Sequence, residues 1–136
     1  MTDRAILSQI ESLKEAEYLS LSTFRKNGKE VPTAVWAAFT MGAFYVFSEE
    51  KAGKVKRLNN SSQASLATCT VKGDITGPKL AAEGTIITDL KEIESAYTAL
   101  REKYTWKMFL LDSLSRLSGR YYKRAMLRME LPLLKA

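Results

Sequence analysis

The sequence predicts a mainly β fold, a small antiparallel barrel with peripheral helices, in one domain spanning 1–136. Three observations predict it. Short segments with strand-like apolar patterning follow one another between residues 18 and 88, punctuated by Asn27-Gly28, Met41-Gly42 and Gly73-Asp74. A stretch of helical periodicity then intervenes, from Asp89 to Gly119. A last apolar strand over 125–131 is stopped by Pro132. Five strands joined by short turns, a helical excursion and one closing strand describe a six-stranded antiparallel barrel, whose closure removes exposed edges.

Each element has its own signal. Ile6, Ile10 and Leu13 recur at helical spacing, with Thr2 as a candidate cap. Over 18–25 the pattern alternates, with Leu19, Leu21 and Thr23 on one face, and Lys26-Asn27-Gly28-Lys29 turns the chain. Residues 31–40 read as one continuous second strand, with Pro32 near its start. Residues 43–48 form a third strand whose apolar run over 43–47 implies burial on both faces; in so short a chain, one of those faces is expected to meet a second subunit. Residues 49–60 are polar and basic, a loop entering a short helix that ends at Asn59-Asn60. Strands over 63–72 and 80–88 follow, the latter with Gly84 as a bulge or bend. Asp89 and Glu92 have capping-box spacing, and Ile93, Ala96, Tyr97, Leu100 and Tyr104 mark one helical face. A second helix is predicted over 107–117, with Gly119 as its stop.

Composition narrows the chemistry. The 136 residues fit one domain, and 46% apolar with 26% charged residues is ordinary globular composition. No apolar run is long enough to cross a bilayer, and the acidic, weakly apolar start does not resemble a secretory signal, so a cytoplasmic location is expected. A single cysteine, Cys69, excludes an internal disulfide. The chain has no histidine, and with it lacks the usual general base, zinc ligand and haem ligand. No metal site is expected. Side chains this poor in acid–base chemistry suit a protein whose reactivity comes from a bound cofactor. The net charge of +6 fits either nucleic acid or a small anionic ligand.

Two segments stand out. In Ala52-Gly53-Lys54-Val55-Lys56-Arg57 a glycine precedes a short helix and three cations follow, an arrangement that suits a phosphate. A solvated basic turn explains the same residues equally well. Ser48, at the end of the preceding strand, offers a hydroxyl to the same anion. Pro32-Thr33-Ala34-Val35-Trp36 reads first as a core strand, whose edge is also suited to a flat heterocycle.

Taken in order, 21–29, Val31-Pro32-Thr33-Ala34-Val35-Trp36, Tyr45-Val46-Phe47-Ser48 and Gly53-Lys54-Val55-Lys56-Arg57-Leu58 resemble the pyridoxamine-5′-phosphate-oxidase-like split-barrel family. The closest likeness is to its branch of FMN- or deazaflavin-dependent oxidoreductases, and it covers about residues 18–88. The resemblance implies an FMN-binding split barrel. It implies that Thr33, Ala34, Val35 and Trp36 line the flavin ring, that Phe47 and Ser48 lie beside the ring and its ribityl chain, and that Lys54, Lys56 and Arg57 hold the phosphate. It also implies a homodimer with the cofactor, FMN or alternatively the deazaflavin coenzyme, at the subunit interface, and a small organic substrate. Ala34 stands where the family often has proline, and Ser61-Ser62 where it often has Pro-Arg. The missing histidine points away from vitamin B6 oxidation and from haem chemistry. A non-catalytic cofactor-binding or storage protein is the alternative. A nucleic-acid-binding barrel is the third reading, resting on Arg116, Arg120, Lys123, Arg124 and Arg128 with Tyr121 and Tyr122. Neither nucleic acid nor membrane is expected as a partner. Trp106 reads as a packing residue or as a group reaching a partner chain's flavin.

Overall fold

Val35 ends a strand on one edge of the sheet, and Ala38 begins the strand on the opposite edge. This relationship sets the architecture. The computed structural model describes residues 3–119 and 123–134. Its elements run α1 (Asp3–Glu15), β1 (Leu19–Phe24), β2 (Glu30–Val35), β3 (Ala38–Thr40), β4 (Ala43–Glu49), α2 (Gly53–Asn60), β5 (Gln63–Thr68), β6 (Leu80–Ile87), α3 (Leu90–Tyr104), α4 (Trp106–Ser118) and β7 (Arg124–Glu130). All strand pairings are antiparallel, in the order β2-β1-β5-β6-β7-β4-β3. A flat sheet of seven strands would hold its edges roughly 29 Å apart, at about 4.8 Å per step. The link from Val35 to Ala38 spans at most about 11 Å. The sheet therefore curls, and its two edges are brought together by Trp36 and Ala37.

The predicted six strands are thus seven, because the expected continuous strand over 31–40 is broken. The break has a physical cause outside the segment. The Tyr104 hydroxyl accepts the Ala37 N–H at 3.0 Å, and the Lys103 ammonium donates to the Ala37 carbonyl at 2.6 Å. With both its backbone groups taken by α3, Ala37 has none to offer a strand neighbour. The chain leaves β1 and crosses to β4.

Turn chemistry follows the sequence. Met41 (φ 52°) and Gly42 (φ 76°) join β3 to β4 as a two-residue hairpin of the type I′ class, with Thr40 opposite Ala43. The predicted strand over 63–72 ends at Thr68, where a turn begins that returns the Asp74 carbonyl to the Thr70 N–H. Asp89 caps α3 by accepting the Glu92 N–H at 2.9 Å. Gly119, at φ 79°, ends α4 as expected. The Thr2 cap lies outside the described residues.

Two apolar clusters organise the interior. Leu19, Leu21, Phe44, Val46, Leu66, Leu127 and Met129 fill the barrel, closed by Leu13 of α1 and by Val55 and Leu58 of α2. Gly84 on β6 leaves room for Leu58, whose Cδ2 would lie 2.6 Å from any added Cβ. The second cluster sits on the outer face, where Ala43, Tyr45 and Met126 meet Ala96, Leu100, Tyr104 and Met108. Strand β4 is therefore buried on both faces, as its composition predicts, but its second face meets helices α3 and α4 of the same chain. The inference from this strand to a second subunit is overturned.

Candidate functional site

A cleft of ≈ 360 Å³ opens beside the point where the sheet edges meet, lined by Tyr18, Ala34, Val35, Trp36, Phe47, Lys54 and Leu111. Its walls are mostly apolar and aromatic, and among the described residues Lys54 is its one charged lining group. The volume lies within the range of small-molecule sites, about 300–1,000 Å³. A second groove of ≈ 190 Å³ shares Phe47 and Leu111 and continues past Ser48, Glu49, Ser115 and Arg124.

The cationic side of the cleft is built by α2. Lys54 and Arg57 lie one helical turn apart, while Lys56 points into solvent. The Arg57 Nε donates to the Thr23 hydroxyl of β1 at 2.6 Å, which fixes the guanidinium over the barrel end. Burial and the neighbouring Arg57 push the Lys54 ammonium below the usual lysine value, with Glu49 opposing. Burial and the nearby Arg25 push Arg57 down in the same sense. Among the described residues neither Lys54 nor Arg57 forms an ion pair. Like charges held close, with only Glu49 partly offsetting Lys54, favour an anion between them.

The walls are held from behind. Trp36 stacks on Tyr104 with ring centroids 4.7 Å apart and planes 14° from parallel. The Tyr104 hydroxyl donates to the Glu17 carbonyl at 2.7 Å while accepting from Ala37. Burial raises this phenol to about 12, so it stays a neutral clamp at any physiological pH. Burial also lowers Lys103, to about 8. Phe47 is covered by the Arg124 guanidinium, 4.4 Å from the ring centroid. Arg124 is in turn fixed to the buried Asp112 at 2.8 Å and to the Ser115 hydroxyl at 3.0 Å.

The structure gathers Ala34, Val35, Trp36, Phe47 and Lys54 around one cleft and sets Ser48 in the adjoining groove. Arg57 stands next to Lys54, within electrostatic reach. Thr33 and Lys56 are outside the lining. Sequence reasoning missed Tyr18, Leu111 and the Thr23 anchor. Leu111 sits in a plain helical pattern, and its place at the cleft is set by how α4 packs, which carries no local signal. Arg124 and Arg128, assigned to a possible nucleic-acid patch, are tied to carboxylates, while Arg120, Tyr121 and Tyr122 lie outside the described residues. Cys69 is half-buried, and burial with the nearby Asp74 pushes its thiol up, against a reactive role. No described helix is long and apolar enough to cross a membrane.

No protein-family model matches the chain, and no curated protein matches it. Solved structures do. A conserved hypothetical protein, Rv2991 of Mycobacterium tuberculosis, superposes with a TM-score of 0.68 at 17% identity, over 97% of this chain and 81% of its own. The heme storage protein HutZ of Vibrio cholerae gives 0.65 at 14%, over 95% and 89%. An F420 reductase gives 0.58 at 15%, over 89% and 91%. At these identities the likeness is one of fold, and that fold is the antiparallel split barrel.

Proposed function

We infer that the chain binds a phosphate-bearing tricyclic flavin and uses it to move hydride or electrons to or from a small organic substrate. The observation that carries this reading is the meeting of an apolar cleft, walled by Trp36 and Phe47, with the neighbouring cations Lys54 and Arg57. The ring would lie along Ala34, Val35 and Trp36, and the phosphate would be held by Lys54 and Arg57. The bound flavin supplies the redox chemistry, and the chain binds, orients and shields it. FMN is the first choice. The deazaflavin coenzyme is the alternative, and the F420 reductase with the same fold supports keeping it. The heme storage protein among the neighbours supports a second reading, a protein that holds a cofactor without turning it over. Haem itself fits poorly, since the chain has no histidine. A homodimer with the cofactor near the subunit interface belongs to the same proposal.

The test is the visible absorption spectrum of the purified protein, with mass spectrometry of what it releases on denaturation. Titrations with FMN, deazaflavin coenzyme and a short oligonucleotide run in parallel. Saturable, near-stoichiometric binding of one flavin with modest salt dependence is expected. Tight oligonucleotide binding that falls steeply with salt, with neither flavin bound, would replace this reading by the nucleic-acid one.

A further inference from the structure

We propose that the cavity where α3 turns into α4 is a binding site for a small aromatic carboxylate, and that its occupant acts on the neighbouring cleft through Tyr104 and Trp36. The cavity holds ≈ 270 Å³, with Glu15, Glu17, Lys103, Tyr104, Trp106 and Lys107 in its lining. Its shape follows from Thr105, which joins the two helices directly at φ 50° and ψ −120°. A β-branched residue rarely adopts such a conformation, which persists only where the surroundings fix it. The abrupt turn sets Lys103, from the last turn of α3, and Trp106, the first residue of α4, beside one opening.

The occupant is argued from charge and shape. Of the charged lining groups, Lys107 and Glu17 are paired with each other, and Glu15 is exposed. Lys103 is half-buried and forms no ion pair among the described residues. Its ammonium gives one hydrogen bond to the Ala37 carbonyl, and an ammonium has three to give. Burial lowers this group to about 8, and no carboxylate offsets that burial. A half-buried cation with spare donors favours an anion. The first turn of α4 has no acidic residue and no side-chain cap, which adds to the same preference. Trp106 is 67% exposed and offers an aromatic surface for a ring to cover. A cavity just below the usual range of about 300–1,000 Å³ takes a small ligand, a single ring.

Tyr104 lines this cavity while its stacking partner Trp36 lines the cleft, so the stack separates the two sites. A ligand here does not touch a ring in the cleft, which makes it an effector and not a substrate. Its carboxylate keeps the Lys103 ammonium charged and so strengthens the bond to Ala37, next to Trp36. The titratable groups around Lys103 are Glu15, Glu17, Tyr104 and Lys107, with Tyr18 near Tyr104. Only the effect on FMN rests on the flavin reading.

Calorimetric titration of the full chain tests the site, with benzoate as the probe and benzylamine as its cationic counterpart. At pH 7 benzoate is expected to bind saturably, one per chain, and benzylamine not at all. Above about pH 8 benzoate affinity should fall, by about tenfold per pH unit, as Lys103 loses its proton. Lys103→Gln should weaken benzoate about tenfold at pH 7 and flatten the pH profile. Trp106→Ala, at an exposed position, should weaken benzoate severalfold and keep the profile. At pH 9 saturating benzoate should tighten FMN roughly fivefold, and FMN should tighten benzoate equally. Absence of saturable benzoate binding overturns the proposal. So does benzylamine binding in its place, a pH profile unchanged by Lys103→Gln, or loss of benzoate in Lys54→Ala, which would put the ligand in the cleft. FMN affinity indifferent to benzoate overturns the link through Tyr104 and Trp36. A chain that takes benzoate at Lys103 but binds no flavin would remove the flavin reading and leave this site standing.

Discussion

Tyr45 on β4 and Arg128 on β7 stand directly opposite one another, and both donate to a single oxygen of Glu92, at 2.6 and 2.7 Å. The first turn of α3 is thereby fastened to the outer face of the barrel. Glu92 has the position of a capping-box glutamate, but its side chain faces the sheet. Only the Asp89 half of the box is made.

This arrangement predicts acid sensitivity. The hydrogen bonds from Tyr45 and Arg128 hold the Glu92 carboxyl below its usual value of 4.5. A carboxylate lowered in the folded state stabilises the fold above the unfolded value, and that contribution disappears as pH falls through the folded one. Melting temperature is expected to fall as pH drops below about 4.5. Glu92→Gln should be less stable at pH 7 and show a shallower acid limb, measured by melts across pH 3–7.

Asp112 and Arg124 are both nearly fully buried. Asp112→Ala removes the buried carboxylate that balances the Arg124 cation and is expected to cost about 3–5 kcal/mol in urea unfolding. The same variant loosens the cover over Phe47, so flavin affinity, where measurable, should fall with it.

Tyr104→Phe keeps the ring stacked on Trp36 and deletes the hydroxyl that receives Ala37. With the Ala37 N–H left unpaired, about 1–3 kcal/mol of stability should be lost. FMN and riboflavin should weaken together, because Trp36 acts on the ring. A selective loss of FMN alone would contradict this.

The phosphate end should behave differently. Lys54→Ala is expected to weaken FMN about ten- to a hundredfold, the worth of a charge-assisted hydrogen bond of roughly 1.5–3 kcal/mol, and to leave riboflavin nearly unchanged. Arg57→Ala should do the same but also lower the melting temperature, since it breaks the bond to Thr23. Lys56→Ala should do little. Parallel titrations with both ligands, paired with melts, check all three.

Much of this was legible in the residues. Strand alternation, the Met41-Gly42 hairpin, the Asp89 cap and the Gly119 stop are local signals, and each gave the right element. The pairing of Lys54 with Arg57 followed from helical spacing. The break after Val35 was not legible, because no glycine or proline marks it and its cause, Tyr104 and Lys103, lies some 67 residues away. For the same reason, the double-sided burial of β4 pointed to a second subunit. A buried face shows that something covers it, and here the cover is α3.

That break has a consequence for how the chain is made. On a ribosome, residues 30–40 emerge well before Lys103 and Tyr104. Until then nothing occupies the Ala37 backbone, and one unbroken strand between β1 and β4 is the locally available pairing. Its hairpins form within about 1–10 μs, far faster than translation at about 5–20 residues per second. The break after Val35 can therefore be fixed only once the end of α3 has been made, so the last step in setting the path between the two sheet edges waits on residues some 67 positions downstream.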